Sequence, residues 1–235
     1  MHNLCTADIK GLSPGKGSEA FLCNVQGKIL AHLFVFCHDE SLVLETVGGQ
    51  AAALLPHLDK YLITEDVNIV DRTDGWEQWL LAGPEAPKFL ADHGVDLSSV
   101  SLDHYLDHCT ATNGWGISNV RHGGDPSYLI RCTPGAGKVL LAKCREADAI
   151  EGNGLIAEAL RIENAVPNYG QDINEQRLPQ EIDRNELAIS FTKGCYLGQE
   201  TVARIDALGR VNWHLVTVKL GGVNDPLPET NSELT

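Results

Sequence analysis

The sequence lacks a long apolar run, a secretory leader and an excess of basic residues. No stretch is apolar for the roughly 20 residues that a membrane-spanning helix needs. Residues 1–6 do not join a basic segment to an apolar one, so we expect no secretory signal. The formal net charge of -14 at pH 7 opposes attraction to nucleic-acid phosphates or an anionic membrane. We therefore expect no membrane partner and no direct nucleic-acid binding.

Closely spaced cysteine pairs are also missing. The seven cysteines are dispersed along the chain without a C-x-x-C pair. An odd, dispersed set favours reduced thiols in a cytoplasm over a disulfide framework or a zinc site. The nine histidines show no H-E-x-x-H or similar ligand spacing, so no metal site is predicted.

Short apolar strands and amphipathic helices follow each other without a regular order. The runs 20–25 and 29–36 flank a Gln26–Gly27 turn and predict a hairpin. Further strands are predicted at 42–44, 67–70, 76–81, 119–121, 128–131 and 211–220. Helical spacing predicts helices over about 50–62, 84–93, 134–145 and 155–163. This mixture, without regular strand–helix alternation, indicates an α+β fold.

The segment KGCYLGQE, residues 193–200, places a thiol between a cation and two glycines. The alternation of Ile189 and Phe191 with polar residues predicts a strand before it, and the sequence from Glu200 predicts a helix after it. Cys195 would then lie just before a helix N-terminus and two residues after Lys193, and both features favour a thiolate. A tight turn with a small buried cysteine is the structural alternative.

Two pairings are expected around this chemistry. Glu200 and Arg204 lie four residues apart on the predicted helix, so they can form an ion pair. Upstream, Glu163 falls on the apolar stripe of its helix, where a carboxylate needs a partner. In the structural interpretation, Glu163 forms an internal ion pair or accepts hydrogen bonds from backbone N–H groups. In the functional interpretation, it accepts two parallel hydrogen bonds from a flat heterocycle such as a pterin.

Residues 193–200 resemble the K-G-C-Y-x-G-Q-E signature of the YgfZ-like proteins, relatives of the glycine-cleavage T-protein, a folate-dependent aminomethyltransferase. The matching positions are Lys193, Gly194, Cys195, Tyr196, Gly198, Gln199 and Glu200, and Arg204 follows them. Weaker similarities occur in the family's order at 3–8, 21–33, 81–84, 161–170 and 178–181. The resemblance runs from about residue 2 to residue 220.

The resemblance implies a multi-lobed T-protein-like fold. The folate-binding domain would cover residues 1–220, and 221–235 would be a disordered tail or the start of an absent β-barrel. The resemblance further implies a chain that is truncated at its N-terminus and lacks most of the C-terminal barrel. Tetrahydrofolate, or a derivative, is the implied cofactor. Glu163, Arg161 and Tyr169 are the implied folate-binding residues.

The implied function is that of an accessory protein for assembly or maintenance of iron–sulfur enzymes, linked to tRNA modification. Its partners would be folate and the iron–sulfur machinery or its client enzymes, and Cys195 would be its reactive group. Ala31 and His32 stand where the T-protein has two aspartates, one of them catalytic, so acid–base catalysis has no obvious agent. A folate-dependent aminomethyl or one-carbon transferase is the alternative, and a structural module with vestigial folate binding is a third interpretation.

Overall fold

The computed structural model describes residues 1–100, 105–111, 113–219 and 228–229, which form two antiparallel sheets with helices packed on them. The first sheet has the order β1-β2-β3 and consists of β1 (Gly17–Cys23), β2 (Ile29–Cys37) and β3 (Leu42–Glu45). The second consists of β4 (Glu77–Ala82), β5 (His108–Thr110), β6 (Gly116–Val120) and β7 (Ser127–Cys132), in the order β4-β7-β6-β5.

The hairpin of β1 and β2 is the centre of the first sheet. Its turn is held by the Asn24 side chain, whose Oδ1 accepts hydrogen bonds from the backbone N–H groups of Gln26 and Lys28. Gly27 has a φ of 77°, a conformation that glycine adopts without strain. Most of β2 is apolar and buried on both faces, as expected for a central strand.

Six α-helices lie in the described part of the chain. They are α1 (Ala51–Asp59), α2 (Ala86–Asp92), α3 (Ala136–Glu146), α4 (Gly154–Glu163), α5 (Asn185–Ala188) and α6 (Gln199–Leu208). Leu54 of α1 packs with Leu22 and Leu33 of the first sheet, and Leu90 of α2 packs with Ile130 of the second. No described helix is long and apolar enough to cross a membrane.

The two sheets meet through a small apolar cluster and two ion pairs. Phe36 of β2 packs with Leu106 and Val120 from the second sheet and its flanking loop. Lys16 Nζ lies 2.7 Å from Asp107 Oδ2, and Arg131 Nε of β7 lies 2.9 Å from Glu45 Oε1 of β3. These contacts fix the relative position of β2, β3, β6 and β7, four of the five strands that line the cavity described below.

The predicted α+β class, the hairpin around Gln26–Gly27 and the five predicted helices, including the one from Glu200, are confirmed within a few residues. The strand predicted at 67–70 is wrong, because Val67 and Val70 are exposed and no strand pairs with this segment. The strand predicted at 211–220 is also wrong over its described part, 211–219, where Leu215 donates one backbone hydrogen bond to Glu181. Residue 220 and all but two residues of the predicted tail, 221–235, lie outside the described residues.

Candidate functional site

Lys193 anchors the KGCYLGQE segment to the N-terminal loop. Its ammonium donates hydrogen bonds to the backbone carbonyls of His2, Cys5 and Ala7, the last two at 2.8 and 2.6 Å. An ammonium has three N–H donors, so none remains for the Cys195 sulfur. The ammonium therefore forms no hydrogen bond with Cys195, and the nearby carbonyls compensate the burial of this cation.

Cys195 is exposed on a loop between two helices. The strand predicted before it is absent from this described part of the chain, where α5 ends at Ala188 and Ser190 donates a single backbone hydrogen bond to Thr6. The following helix, α6, begins at Gln199, four residues after the thiol. Because the helix-dipole effect fades within one turn, the predicted support from a helix N-terminus is weak.

The remaining signature residues have structural surroundings. Tyr196 is buried, with the Lys193 ammonium 4.9 Å from its ring centroid. Gly198 precedes the first turn of α6 with a φ of 82°. The predicted ion pair is not formed: in the described structure, no salt bridge joins Glu200 to Arg204.

Helix α4 presents its apolar side to solvent. The helix has no buried residue, and Leu155, Ile156 and Ile162 are all exposed. Glu163 is exposed as well, so its predicted place on a buried stripe is wrong. The spacing of the stripe is helical, but the described part of the chain provides nothing that covers it.

Arg161 points to the other side of α4, as expected for a position two residues from Glu163. Its Nε donates to Glu158 Oε2 at 2.9 Å, and its Nη1 donates to Asp172 Oδ2 at 2.6 Å and to the carbonyl of Val166. The guanidinium thereby fixes the turn that follows α4. This turn carries Asn168 and Tyr169.

A cavity of about 240 Å³ lies between this turn and the two sheets. His32 and Phe34 of β2 form one wall, and His122, which follows β6, contributes another. The turn closes it with Asn168 and Tyr169. The other lining residues are Glu45, Thr46, Val47, Gln78, Val120, Leu129, Arg161 and Pro167. The cavity thus includes Arg161 and Tyr169 among the predicted folate contacts, but neither Glu163 nor Cys195.

Three buried polar atoms of the lining residues have no hydrogen-bond partner among the described residues: Oε1 of Glu45, Nδ1 of His122 and Oδ1 of Asn168. Glu45 Oε1 lies 2.9 Å from Arg131 Nε in an ion pair, whereas the other two have no such charge partner. Burial, followed by the nearby His32, lowers the pKa of His122 to about 4, so the ring is neutral at pH 7. The Asn168 amide nitrogen donates to Gln171 Oε1 at 2.7 Å, which orients the carbonyl oxygen. A ligand with N–H donors would satisfy Asn168 Oδ1, and it would satisfy His122 Nδ1 in the tautomer that carries its hydrogen on Nε2.

A buried charge network lies behind the His32 wall. Glu19 Oε1 is 2.6 Å from His32 Nε2, and Arg184 Nη2 donates to Glu19 Oε2 at 2.6 Å. Although burial raises the pKa of Glu19, hydrogen bonds from Arg184 and His32 outweigh that effect and hold it at about 2. Glu19 is therefore an ionised carboxylate in a protein interior, stabilised by two oriented donors.

The sequence pattern alone had not singled out Glu19, Arg184, His122 or Asn168. The sequence did contain one indication of Glu19, because it is a charged residue next to the apolar run of β1, whose other buried residues are all apolar. Arg184 lies 165 residues away in sequence, and no local pattern joins the two. Among the described residues, no group of three or more His, Cys, Asp or Glu side chains could hold a metal ion.

Comparison with known proteins places these features in a family. A family model described as the GCVT N-terminal domain matches residues 1–193. An aminomethyltransferase of Rubrobacter xylanophilus is 22% identical over 205 residues, which are 87% of this chain and 54% of that protein. The tRNA-modifying protein YgfZ of Buchnera aphidicola is 27% identical over 228 residues, 95% of this chain and 68% of that protein.

A solved structure has the same fold. Glycine cleavage system aminomethyltransferase T from Bartonella henselae superimposes with a TM-score of 0.74 at 21% sequence identity, over 87% of this chain and 56% of that chain. The predicted T-protein-like fold is thereby confirmed. The chain spans about half to two thirds of the length of the relatives that it matches.

Proposed function

Because this chain belongs to the GCVT N-terminal domain family, we propose that it binds tetrahydrofolate, or a derivative, and serves the assembly or maintenance of iron–sulfur enzymes. Relatives named tRNA-modifying protein YgfZ support the link to tRNA modification. Client iron–sulfur enzymes, or the machinery that assembles their clusters, are the proposed partners. All seven cysteines are free thiols, which supports a reducing compartment such as the cytoplasm.

The observation that carries the folate proposal is a pair of buried, unpartnered polar atoms on residues that line the cavity, His122 Nδ1 and Asn168 Oδ1. A neutral imidazole accepts a hydrogen bond through its unprotonated nitrogen. An amide carbonyl oxygen is always an acceptor. The amino and ring N–H groups of a pterin are matching donors, and each bond relieves an unsatisfied buried atom. Sites for whole drug-sized ligands measure about 300–1,000 Å³. The smaller cavity therefore suits the ring system, with the rest of the ligand outside.

Two residues implied by the family resemblance fit this arrangement. The Tyr169 side chain lines the cavity and offers an aromatic face for the ring system. Arg161 holds the turn that carries Asn168 and Tyr169, so we assign it the positioning of those two residues. Glu163 is exposed and does not line the cavity. We therefore propose it as a contact only for a part of the ligand that extends beyond the cavity.

A calorimetric titration of tetrahydrofolate tests the folate proposal. Asn168→Ala removes one acceptor, and loss of one hydrogen bond is expected to weaken binding by about 0.5–1.5 kcal/mol. Asn185→Ala is a matched control, because Asn185 Oδ1 is also buried and unpartnered but does not line the cavity. Absence of binding by the unaltered protein would support the interpretation that folate binding is vestigial.

Cys195 is the proposed reactive group of the accessory role. Cys195 is exposed, whereas the other six cysteines are buried or half-buried, so its thiol can contact a partner protein without unfolding. We expect Cys195→Ala to lose complementation of a strain that lacks YgfZ while it still binds tetrahydrofolate. Cys144→Ala, at a half-buried thiol on α3, is the control. Full complementation by Cys195→Ala would remove the thiol from the mechanism.

A folate-dependent one-carbon transferase is the second candidate. The observation that favours it is the position of His32, which lines the cavity and is hydrogen-bonded to a buried carboxylate. Methylenetetrahydrofolate formation from an aminomethyl donor is the discriminating assay. Turnover at rates typical of enzymes would favour this candidate over the accessory role.

A further inference from the structure

The Glu19–His32 pair determines which nitrogen of the His32 ring carries a hydrogen. An ionised carboxylate only accepts hydrogen bonds, so the 2.6 Å contact requires a hydrogen on Nε2. In the neutral ring the lone pair is then on Nδ1. Among the described residues none forms a hydrogen bond with Nδ1, and the ring lines the cavity. The tautomer therefore leaves a basic nitrogen available at the cavity wall.

The orientation of the ring is fixed on both sides by aromatic neighbours. The ring centroid of Phe21 lies 5.2 Å from that of His32, and the centroid of Phe34 lies 5.0 Å away. The Glu19 carboxylate is held in turn by two hydrogen bonds from Arg184. A histidine with a fixed tautomer, a fixed orientation and a buried carboxylate behind it is the arrangement that general acid–base catalysis uses.

We propose that His32 is the acid–base residue of the cavity and that Glu19 is its positioning residue. The proposal rests on the proposed folate site and on the second candidate function, the one-carbon transferase. Nδ1 accepts the proton that a secondary amine of the folate loses as that nitrogen bonds to the aminomethyl carbon and displaces the donor's leaving group. The imidazolium then gives the proton to that leaving group. One carbon–nitrogen bond forms, the bond between the same carbon and the donor breaks, and no oxidant or reductant is needed.

This assignment gives a different meaning to the replacement of the T-protein's aspartates by Ala31 and His32. The side chain of Ala31 cannot transfer a proton, but His32 can, because Glu19 stabilises the imidazolium that forms. The carboxylate comes from the neighbouring strand β1, so a comparison of the two positions alone does not reveal it. The other titratable or charged groups near the ring are His122, Tyr105 and Arg184.

The test uses the full chain labelled with ¹⁵N-histidine and tetrahydrofolate as the probe. We expect the free protein to show a protonated Nε2 and an unprotonated Nδ1 for His32, assigned by loss of the signals in His32→Asn. Addition of tetrahydrofolate is expected to shift the Nδ1 resonance and to leave Nε2 bonded to Glu19. His108, whose Nε2 contacts the Cys37 carbonyl outside the cavity, is the internal control and should not shift.

The second measurement is turnover with an aminomethyl donor. Loss of a general acid–base residue is expected to lower the rate by about 10²–10⁴-fold in His32→Asn and His32→Gln. Tetrahydrofolate binding should change only a few-fold, and circular dichroism checks that each variant folds. His108→Asn should turn over at the rate of the unaltered protein.

The outcomes separate this proposal from the folate proposal. If the unaltered protein does not bind tetrahydrofolate, both are overturned. If it binds and the Nδ1 resonance does not move, folate binding stands and the acid–base role is overturned. If the unaltered protein shows no turnover, or turns over no faster than His32→Asn, the acid–base role is overturned and folate binding stands.

Discussion

At the scale of single residues, the physical surroundings of Lys193 decide its role. Proximity in sequence suggested that its charge serves Cys195, two positions away. The folded chain instead brings three carbonyls of the N-terminal loop around the ammonium. These acceptors lie more than 180 residues earlier in the sequence, so no local pattern could reveal them. A buried ammonium requires such a set of acceptors, and the exposed thiol does not require the ammonium.

Replacement of Lys193 by Met therefore affects stability more than thiol chemistry. The substitution leaves three carbonyls without their donor, and we expect the free energy of unfolding to fall by about 1–3 kcal/mol. The alkylation rate of Cys195 in the folded protein should stay unchanged, as measured by mass spectrometry of its peptide. Lys28→Met, which removes an exposed contact to the Gln176 carbonyl, is the control. A large loss of Cys195 reactivity with unchanged stability would contradict this account.

The two glycines of the signature segment are predicted to differ. A Cβ at Gly198 would lie 2.6 Å from the carbonyl oxygen of Asn24 and 2.6 Å from Gly27 Cα, and φ is 82°. Gly198→Ala should therefore destabilise the protein by about 1–3 kcal/mol in a urea titration. A Cβ at Gly194 meets nothing within 4 Å, so Gly194→Ala should stay within about 0.5 kcal/mol of the parent. Equal effects at both positions would refute the close-packing argument.

At the scale of elements, periodicity was sufficient to find α4 but not to find its environment. The helical spacing of Leu155, Ile156 and Ile162 predicts a helix whether or not another element covers that side. The turn after α4 is fixed instead by Arg161, through contacts to Asp172 and the Val166 carbonyl. Since the apolar side contributes little burial, the helix depends more on its ends.

The N-terminal cap of α4 should therefore have a measurable effect. Asn153 Oδ1 accepts hydrogen bonds from the backbone N–H groups of Leu155 at 3.0 Å and Ile156 at 3.2 Å. We expect Asn153→Ala to lower the free energy of unfolding by about 0.5–2 kcal/mol, and Asn153→Gly by only a few tenths. Because α4 carries Arg161, weaker tetrahydrofolate binding should accompany the alanine substitution. Identical stability of both variants and the parent would show that the cap contributes nothing.

At the scale of the whole molecule, local patterns predicted the elements, and long-range contacts decided the site. The β1–β2 hairpin followed from apolar runs around Gln26–Gly27, because both the turn and the pairing are local. The cavity joins residues from both sheets and from the turn after α4, so it depends on how distant segments pack. The resemblance to a family indicated Arg161 and Tyr169 as site residues. It did not indicate His122 or Asn168.

Histidine burial predicts how the stability of the molecule depends on pH. In the folded chain, burial and, to a smaller extent, the nearby His32 lower the pKa of His122 from 6.5 to about 4. Burial is also the main cause that lowers the pKa of His108 from 6.5 to about 4. Between pH 6.5 and 4 the unfolded chain binds protons that the folded chain does not, so stability falls as the pH falls through this window. The contribution of Glu19 is present above pH 4.5 and lost between pH 4.5 and about 2.

Urea titrations at several pH values between 4 and 7 measure this dependence. We expect His122→Asn to have a shallower loss of stability over this range than the parent, because the lowered pKa of His122 no longer contributes to the pH dependence. The same slope in His122→Asn and the parent would rule out burial of a neutral His122.

The central claim, that the cavity between the sheets is the folate site, is tested most directly by a crystal structure with bound tetrahydrofolate. The account predicts that the pterin ring lies in the cavity, within hydrogen-bond distance of His122 Nδ1 and Asn168 Oδ1 and near His32 Nδ1. A ring held elsewhere, for example by the exposed Glu163 with the cavity empty, would contradict it.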